Sequence, residues 1–153
     1  MKETVKKLAA YQAELPEEVV KAKYGLQHLA RLSANESVYG PSPKVGEAVR
    51  AVSDDVLGYY PDGQATPLRE AVADLTQVNP ENLVFGVGAD ELIQLLTRTI
   101  LTPESEMIVP DPTFGEYAIH SEIEQATTVK VPVKPDDGHV DFEAMLAAIT
   151  DQT

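Results

Sequence analysis

From about Ser42 onward the apolar positions fall into alternating helical and extended runs. Ser42-Pro43 and Thr66-Pro67 each set a hydroxyl residue before a proline, a pairing that opens helices, and predict helices from Lys44 to Val52 and from Leu68 to about Thr76. Between them, Tyr60-Pro61-Asp62-Gly63 has proline second and glycine fourth, as in a type I turn. Leu83 to Val87 is a short apolar run closed by Gly88, and Glu91 to Leu96 carries apolar residues at helical spacing. The pair predicts a strand, a tight loop and a helix. The unit recurs with Met107-Ile108-Val109 as a strand, a loop through Pro110 and Pro112, and a helix from about Phe114 to Gln125. Thr113 and Glu116 form a capping box for that helix. A third strand, Thr127 to Val133, leads through Asp136-Asp137-Gly138 to a helix started by Asp141 and ending near Ile149. Strands separated by such helices pair in parallel through right-handed crossovers, so the fold class is α/β. Three strands are few for a parallel sheet covered on both faces, and the sheet is expected to be incomplete in this chain.

Composition and charge narrow the function classes. The 153 residues, 43% apolar and 24% charged, suit an ordinary globular domain. Twelve basic against 25 acidic residues give a net charge of -13. The first 25 residues hold five Lys and four acids, a sum of +1, which leaves -14 on the remainder and marks the start of the chain as a separate arm. Without a basic cluster, nucleic acid and anionic membrane surfaces are not expected partners. The absence of cysteine removes disulfides and thiolate chemistry and fits a cytoplasmic setting. No apolar run approaches the ~20 residues of a membrane span. Lys6-Lys7 precede an apolar patch that already ends at Glu14, too short for a signal peptide. His28, His120 and His139 lie far apart and lack metal-ligand spacing.

Candidate chemistry gathers at two junctions. Gly86-Val87-Gly88-Ala89-Asp90-Glu91 falls where a strand meets a helix, and there unpaired N–H groups and the positive helix end favour a phosphate. Gly86 and Gly88 would let a ligand approach the backbone, and Ala89 and Asp90 would present the N–H groups; a plain turn with Asp90 as cap is the other reading. The third glycine of the dinucleotide fingerprint is missing. Phe114 follows the next strand at the equivalent position, so the two loops should lie side by side at the carboxyl edge of the sheet. Phe114 could stack on a planar ring or pack at a helix start, with Tyr117 on nearly the same helical face. Tyr11 in the arm and the polar segment Ser33 to Pro41 read as binding elements or as linker. From the residues alone, the chain is an α/β candidate for binding phosphate.

Four motifs extend this reading. Ala34-Asn35-Glu36 with Gly40-Pro41-Ser42-Pro43, then Tyr60-Pro61-Asp62-Gly63, Gly88-Ala89-Asp90-Glu91, and Pro112-Thr113-Phe114-Gly115 with Tyr117 occur in an order that resembles the pyridoxal phosphate (PLP) aminotransferases of fold type I. The histidinol-phosphate aminotransferases are the nearest of these, and the resemblance covers Tyr11 to about Ile149. It implies an N-terminal arm and small-domain segment over 1–41. Residues 42–153 would be the first part of the PLP-binding large domain, a three-layer α/β/α sheet truncated in this chain. PLP is the implied cofactor, with the backbone of Ala89 and Asp90 at its phosphate and Phe114 stacked on its ring. Tyr60 would reach the phosphate of the neighbouring subunit's cofactor in a homodimer, and Tyr11 and Asn35 would face substrate.

The implied reaction moves the amino group of L-histidinol phosphate to 2-oxoglutarate, giving imidazole acetol phosphate and L-glutamate. The family's Schiff-base lysine, the Asp that pairs with the pyridinium nitrogen and the Arg that grips the substrate carboxylate lie beyond residue 153. No catalytic residue is therefore assigned, and the chain alone is expected to be inactive. Lys130 and Lys134, the only lysines after Lys44, match no family lysine motif. Ser37 and Val38 stand where the family more often has Asn and Pro, Tyr59 where Arg is common, and Ala10 in place of a usual proline. These departures keep open an aromatic amino acid aminotransferase or a threonine-phosphate decarboxylase. A non-catalytic domain binding an anion or a partner through its sheet edge is the alternative of another class.

Overall fold

Runs rich in β-branched residues form the two strands: β1 (Glu106–Asp111) and β2 (Thr127–Pro132) pair in parallel, in register from Glu106 opposite Thr127 to Asp111 opposite Pro132. The structure, a computed structural model, describes residues 5–8, 14–33 and 35–153. These separate into two compact units, one holding residues 5–8 and 72–153 and the other the described residues from 14 to 71. No helix among the described residues is long and apolar enough to cross a membrane.

In the first unit, α5 (Gly88–Ile100) precedes β1, α6 (Glu116–Ile123) crosses from β1 to β2, and α7 (Phe142–Ala147) follows β2. α6 packs on both strands and on α5, while α7 packs on β1. Ile93 and Thr97, one turn apart on α5, are buried, together with Val109 of β1, Val131 of β2 and Ala126 between α6 and β2. The buried Thr97 hydroxyl donates to the Ile93 carbonyl at 2.9 Å, which satisfies it within its own helix. Ser121 on α6 is fully buried, and its hydroxyl, like that of Thr128, has no hydrogen-bond partner among the described residues. Ile100, Met107, Ile108, Phe142, Met145 and Ile149 line an open apolar cleft of about 460 Å³ where α7 meets β1.

Leu83 to Val87 does not join the sheet, contrary to the strand expected there. Its backbone starts extended, with Leu83 at φ −102° and ψ 135°. Leu83 and Phe85 are half-buried while Val84 between them is exposed, an alternation that ends before the exposed Val87. Among the described residues the ladder consists of β1 and β2, and the 83–87 run is not assigned to it.

The second unit holds α1 (Glu17–Tyr24), α2 (Pro43–Arg50), α3 (Asp54–Leu57) and the start of α4 (Thr66–Thr76), which continues into the first unit. Gly25 ends α1 in the left-handed region at φ +65°, and Leu26 N–H returns to the Lys21 carbonyl at 2.9 Å. Arg31 ties the entry to α1 by pairing with Glu14 and donating to the Leu15 carbonyl at 2.8 Å. The Ser33 hydroxyl, then Arg31, hold the Glu14 carboxyl below its usual range. No described residue from 14 to 71 is buried.

Several helix starts differ from expectation. Pro43 does open α2, but the Ser42 side chain makes no capping bond. At α4 the cap is Asp62, whose carboxylate accepts from Gln64 N–H at 2.9 Å and Thr66 N–H at 2.8 Å. The turn accordingly runs from Asp62 to Ala65, closed by Ala65 N–H to the Asp62 carbonyl at 3.0 Å, two residues later than predicted. A carboxylate is the stronger acceptor, so it displaces the hydroxyl from this role. The Thr113–Glu116 capping box is absent, because α6 starts at Glu116 with Gly115 at its cap position. Glu116 instead lies 3.5 Å from His120, one turn on. Asp141 caps α7 as expected, accepting from Ala144 N–H at 3.1 Å.

Candidate functional site

Two helix openings define the candidate site. Gly88 adopts φ +78°, a left-handed conformation suited to glycine, and its N–H bonds back to the Gly86 carbonyl at 2.9 Å. The chain thereby bends sharply into α5. Ala89 and Asp90 follow in the first turn, where an N–H has no carbonyl within the helix to accept it. Both residues are exposed. Two outward amides at the positive end of a 13-residue helix suit an anion.

The two glycines do different work, which corrects the expectation that both leave room for a ligand. A Cβ on Gly88 would meet nothing within 4 Å, so the space before the amides is open there. A Cβ on Gly86 would lie 2.7 Å from Glu91 Oε2 and 3.1 Å from Leu92 Cδ2, so that space is filled from within. Glu91 Oε2 also accepts the Val87 N–H at 2.5 Å. Sequence reasoning missed this role of Glu91. The available signal was a carboxylate in the first turn behind a valine at the cap position, which has no side-chain acceptor of its own.

Phe114 stands in the loop between β1 and α6, 48% exposed, with its ring edge-on to Tyr117 at 6.2 Å and 87°. Arg98 in the last turn of α5 lies 4.0 Å from Glu124 at the end of α6. The helices pack together, so they run in the same direction and open at the same end of the unit. With a rise of about 1.5 Å per residue, Ala89 and Glu116 both sit about 12–14 Å from that ion pair. The open amides and the loop carrying Phe114 therefore share one end of the first unit.

The other candidates belong to the second unit or fall outside the described residues. Tyr60, wholly exposed just ahead of the Asp62 turn, and Asn35, exposed with φ +54°, belong to the second unit. Beside Tyr60, the Thr66 hydroxyl and the N–H groups of Gln64 and Thr66 lower the Asp62 carboxyl to about 2. Tyr11 lies outside the described residues, as does Ala34 of the first motif.

A parallel βαβ crossover, an anion-suited helix opening and an exposed aromatic at the same end define a class that comparison makes specific: residues 27–153 match the aminotransferase class I and II family, and the chain belongs to it. Over all 153 residues it is 74% identical to the histidinol-phosphate aminotransferase of Leuconostoc mesenteroides subsp. mesenteroides and 70% identical to that of Leuconostoc citreum. The chain spans 43% of the length of each. The crystal structure of histidinol-phosphate aminotransferase from Sinorhizobium meliloti in complex with pyridoxal-5'-phosphate superposes with a TM-score of 0.80 at 25% identity, covering 99% of this chain and 39% of that one. The fold is the N-terminal part of the fold type I PLP-transferase architecture.

Proposed function

We propose that this chain contributes the phosphate cradle and ring-stacking face of a PLP-dependent aminotransferase of histidine biosynthesis, acting on L-histidinol phosphate and 2-oxoglutarate. The observation that carries the substrate is the 74% identity, along the whole chain, to a histidinol-phosphate aminotransferase. The geometry supports the cofactor, since open amides before an uncrowded Gly88 fit a phosphate and an exposed Phe114 offers a face to a planar ring. When bound, PLP supplies an electron sink for the pair left on the donor carbon as its proton departs.

In this reading Ala89 and Asp90 donate their backbone N–H groups to the phosphate, and Phe114 fixes the plane of the ring. Tyr60 reaches the cofactor phosphate of a second subunit, which makes the assembly a homodimer, and Tyr11 and Asn35 face the substrate. Residues 1–41 act as arm and small-domain segment, and 42–153 as the first part of the large domain. The setting is cytoplasmic. None of these residues moves the proton, so this part of the protein binds and orients.

Two charge-assisted hydrogen bonds and a helix end contribute about 4–7 kcal/mol in gross terms. Immobilising the ligand costs about 4 kcal/mol or more. The 153-residue chain should then bind PLP in the millimolar range or weaker, since about 3 kcal/mol net corresponds to several millimolar, and form no glutamate. The test compares this chain with a polypeptide that continues it to the length of the Leuconostoc relatives, each given PLP, 2-oxoglutarate and either histidinol phosphate or phenylalanine. Glutamate from the longer protein, faster with histidinol phosphate, is expected. Preference for phenylalanine would overturn the substrate, and turnover by the chain alone would overturn the division of labour.

A further inference from the structure

The cradle assigned above depends on amides that stay open, yet the first turn of α5 carries its own anions, Asp90 and Glu91. A carboxylate in a first turn is drawn to the same N–H groups that would receive a phosphate. Glu91 is held away from them. Its Oε2 accepts the Val87 N–H at 2.5 Å, on the loop side of the helix start. It lies where residue 86 can have no Cβ, 2.7 Å from that virtual atom, and Leu92 closes the same space at 3.1 Å. Gly86 thus makes room for a side chain of its own protein, and Gly88 alone leaves room in front of the helix.

We propose that Glu91 is a positioning residue for the phosphate cradle. By binding the Val87 N–H, its carboxylate fixes the bend from Gly86 to Gly88 and sets the direction of the Ala89 and Asp90 amides, while remaining unable to cap them itself. The inference rests on the reading of the α5 opening as a phosphate site. Its own content is that the loop conformation, and through it anion affinity, requires an acceptor at position 91 but not a charge. Glutamine retains an acceptor oxygen of the same reach, and alanine retains none.

The test uses the polypeptide that continues this chain to the length of the Leuconostoc relatives, as wild type, Glu91→Ala and Glu91→Gln, with Val109→Ala as a destabilised control remote from the loop. Amide exchange at Val87 reads the clamp without ligand. Titration with inorganic phosphate and with PLP, followed by amide chemical shifts at Ala89 and Asp90, reads affinity. Loss of a hydrogen bond to a charged group corresponds to about a tenfold change, so Glu91→Ala should speed Val87 exchange and weaken phosphate binding by about that factor. Glu91→Gln should retain both properties, and Val109→Ala should leave phosphate affinity in the folded protein unchanged. Phosphate bound equally well by wild type and Glu91→Ala would overturn the positioning role and leave the site standing, as would equal losses in the Ala and Gln variants. A wild-type polypeptide of that length whose Ala89 and Asp90 amides respond to neither ligand would overturn the site itself, and the positioning role with it.

Discussion

At Gly88 the left-handed φ of +78° and the open space beyond it separate two effects that a single substitution would otherwise confuse. Gly88→Ala introduces no clash, so its cost is backbone strain of about 1–2 kcal/mol, measurable as a lower denaturant midpoint. Ser121 presents the opposite case. Its hydroxyl is fully buried and unpartnered among the described residues, and such a group costs about 1–3 kcal/mol in desolvation. Ser121→Ala should therefore leave stability unchanged or raise it by about 1 kcal/mol, and a clear loss in urea would show that the hydroxyl is satisfied. The amides of Ala89 and Asp90 were legible in the sequence because a glycine before an apolar helical run announces its own geometry. Glu91 was missed because its partner is a backbone N–H, and a first-turn carboxylate behind a valine is a weaker signal than a glycine.

Among the elements, α4 carries a pH dependence that belongs to its cap. Asp62 is lowered from 3.8 to about 2 by the Thr66 hydroxyl and the Gln64 and Thr66 N–H groups. A lowered folded-state value means that the unfolded chain binds the proton more readily, so the cap stabilises fully above the unfolded value and is lost as pH falls through the folded one. Protection of the Thr66 amide should disappear between pH 3.8 and about 2, and Asp62→Asn should flatten that change. Exchange at Thr66 independent of pH over this window would remove Asp62 from the role. The helices could be read in advance because their signals lie within a few residues of one another. Caps were misplaced where two acceptors compete, as Asp62 does with Thr66.

For the whole molecule, the α/β class and the nearness of two helix openings followed from the order of elements, whereas the contrast between the two units did not. The first unit encloses Ile93, Val109 and Val131, while residues 14–71 enclose nothing among those described. Composition could not reveal this, since Leu32, Tyr39 and Tyr60 are the kinds of residue that cores are made of, yet they stand exposed. A heat-capacity increment on melting arises from apolar surface newly wetted. A chain of 153 residues would ordinarily show about 2 kcal/mol/K. Calorimetry should return less than that figure, because residues 14–71, more than a third of the polypeptide, hold no buried residue among those described and add less than an average share to the step.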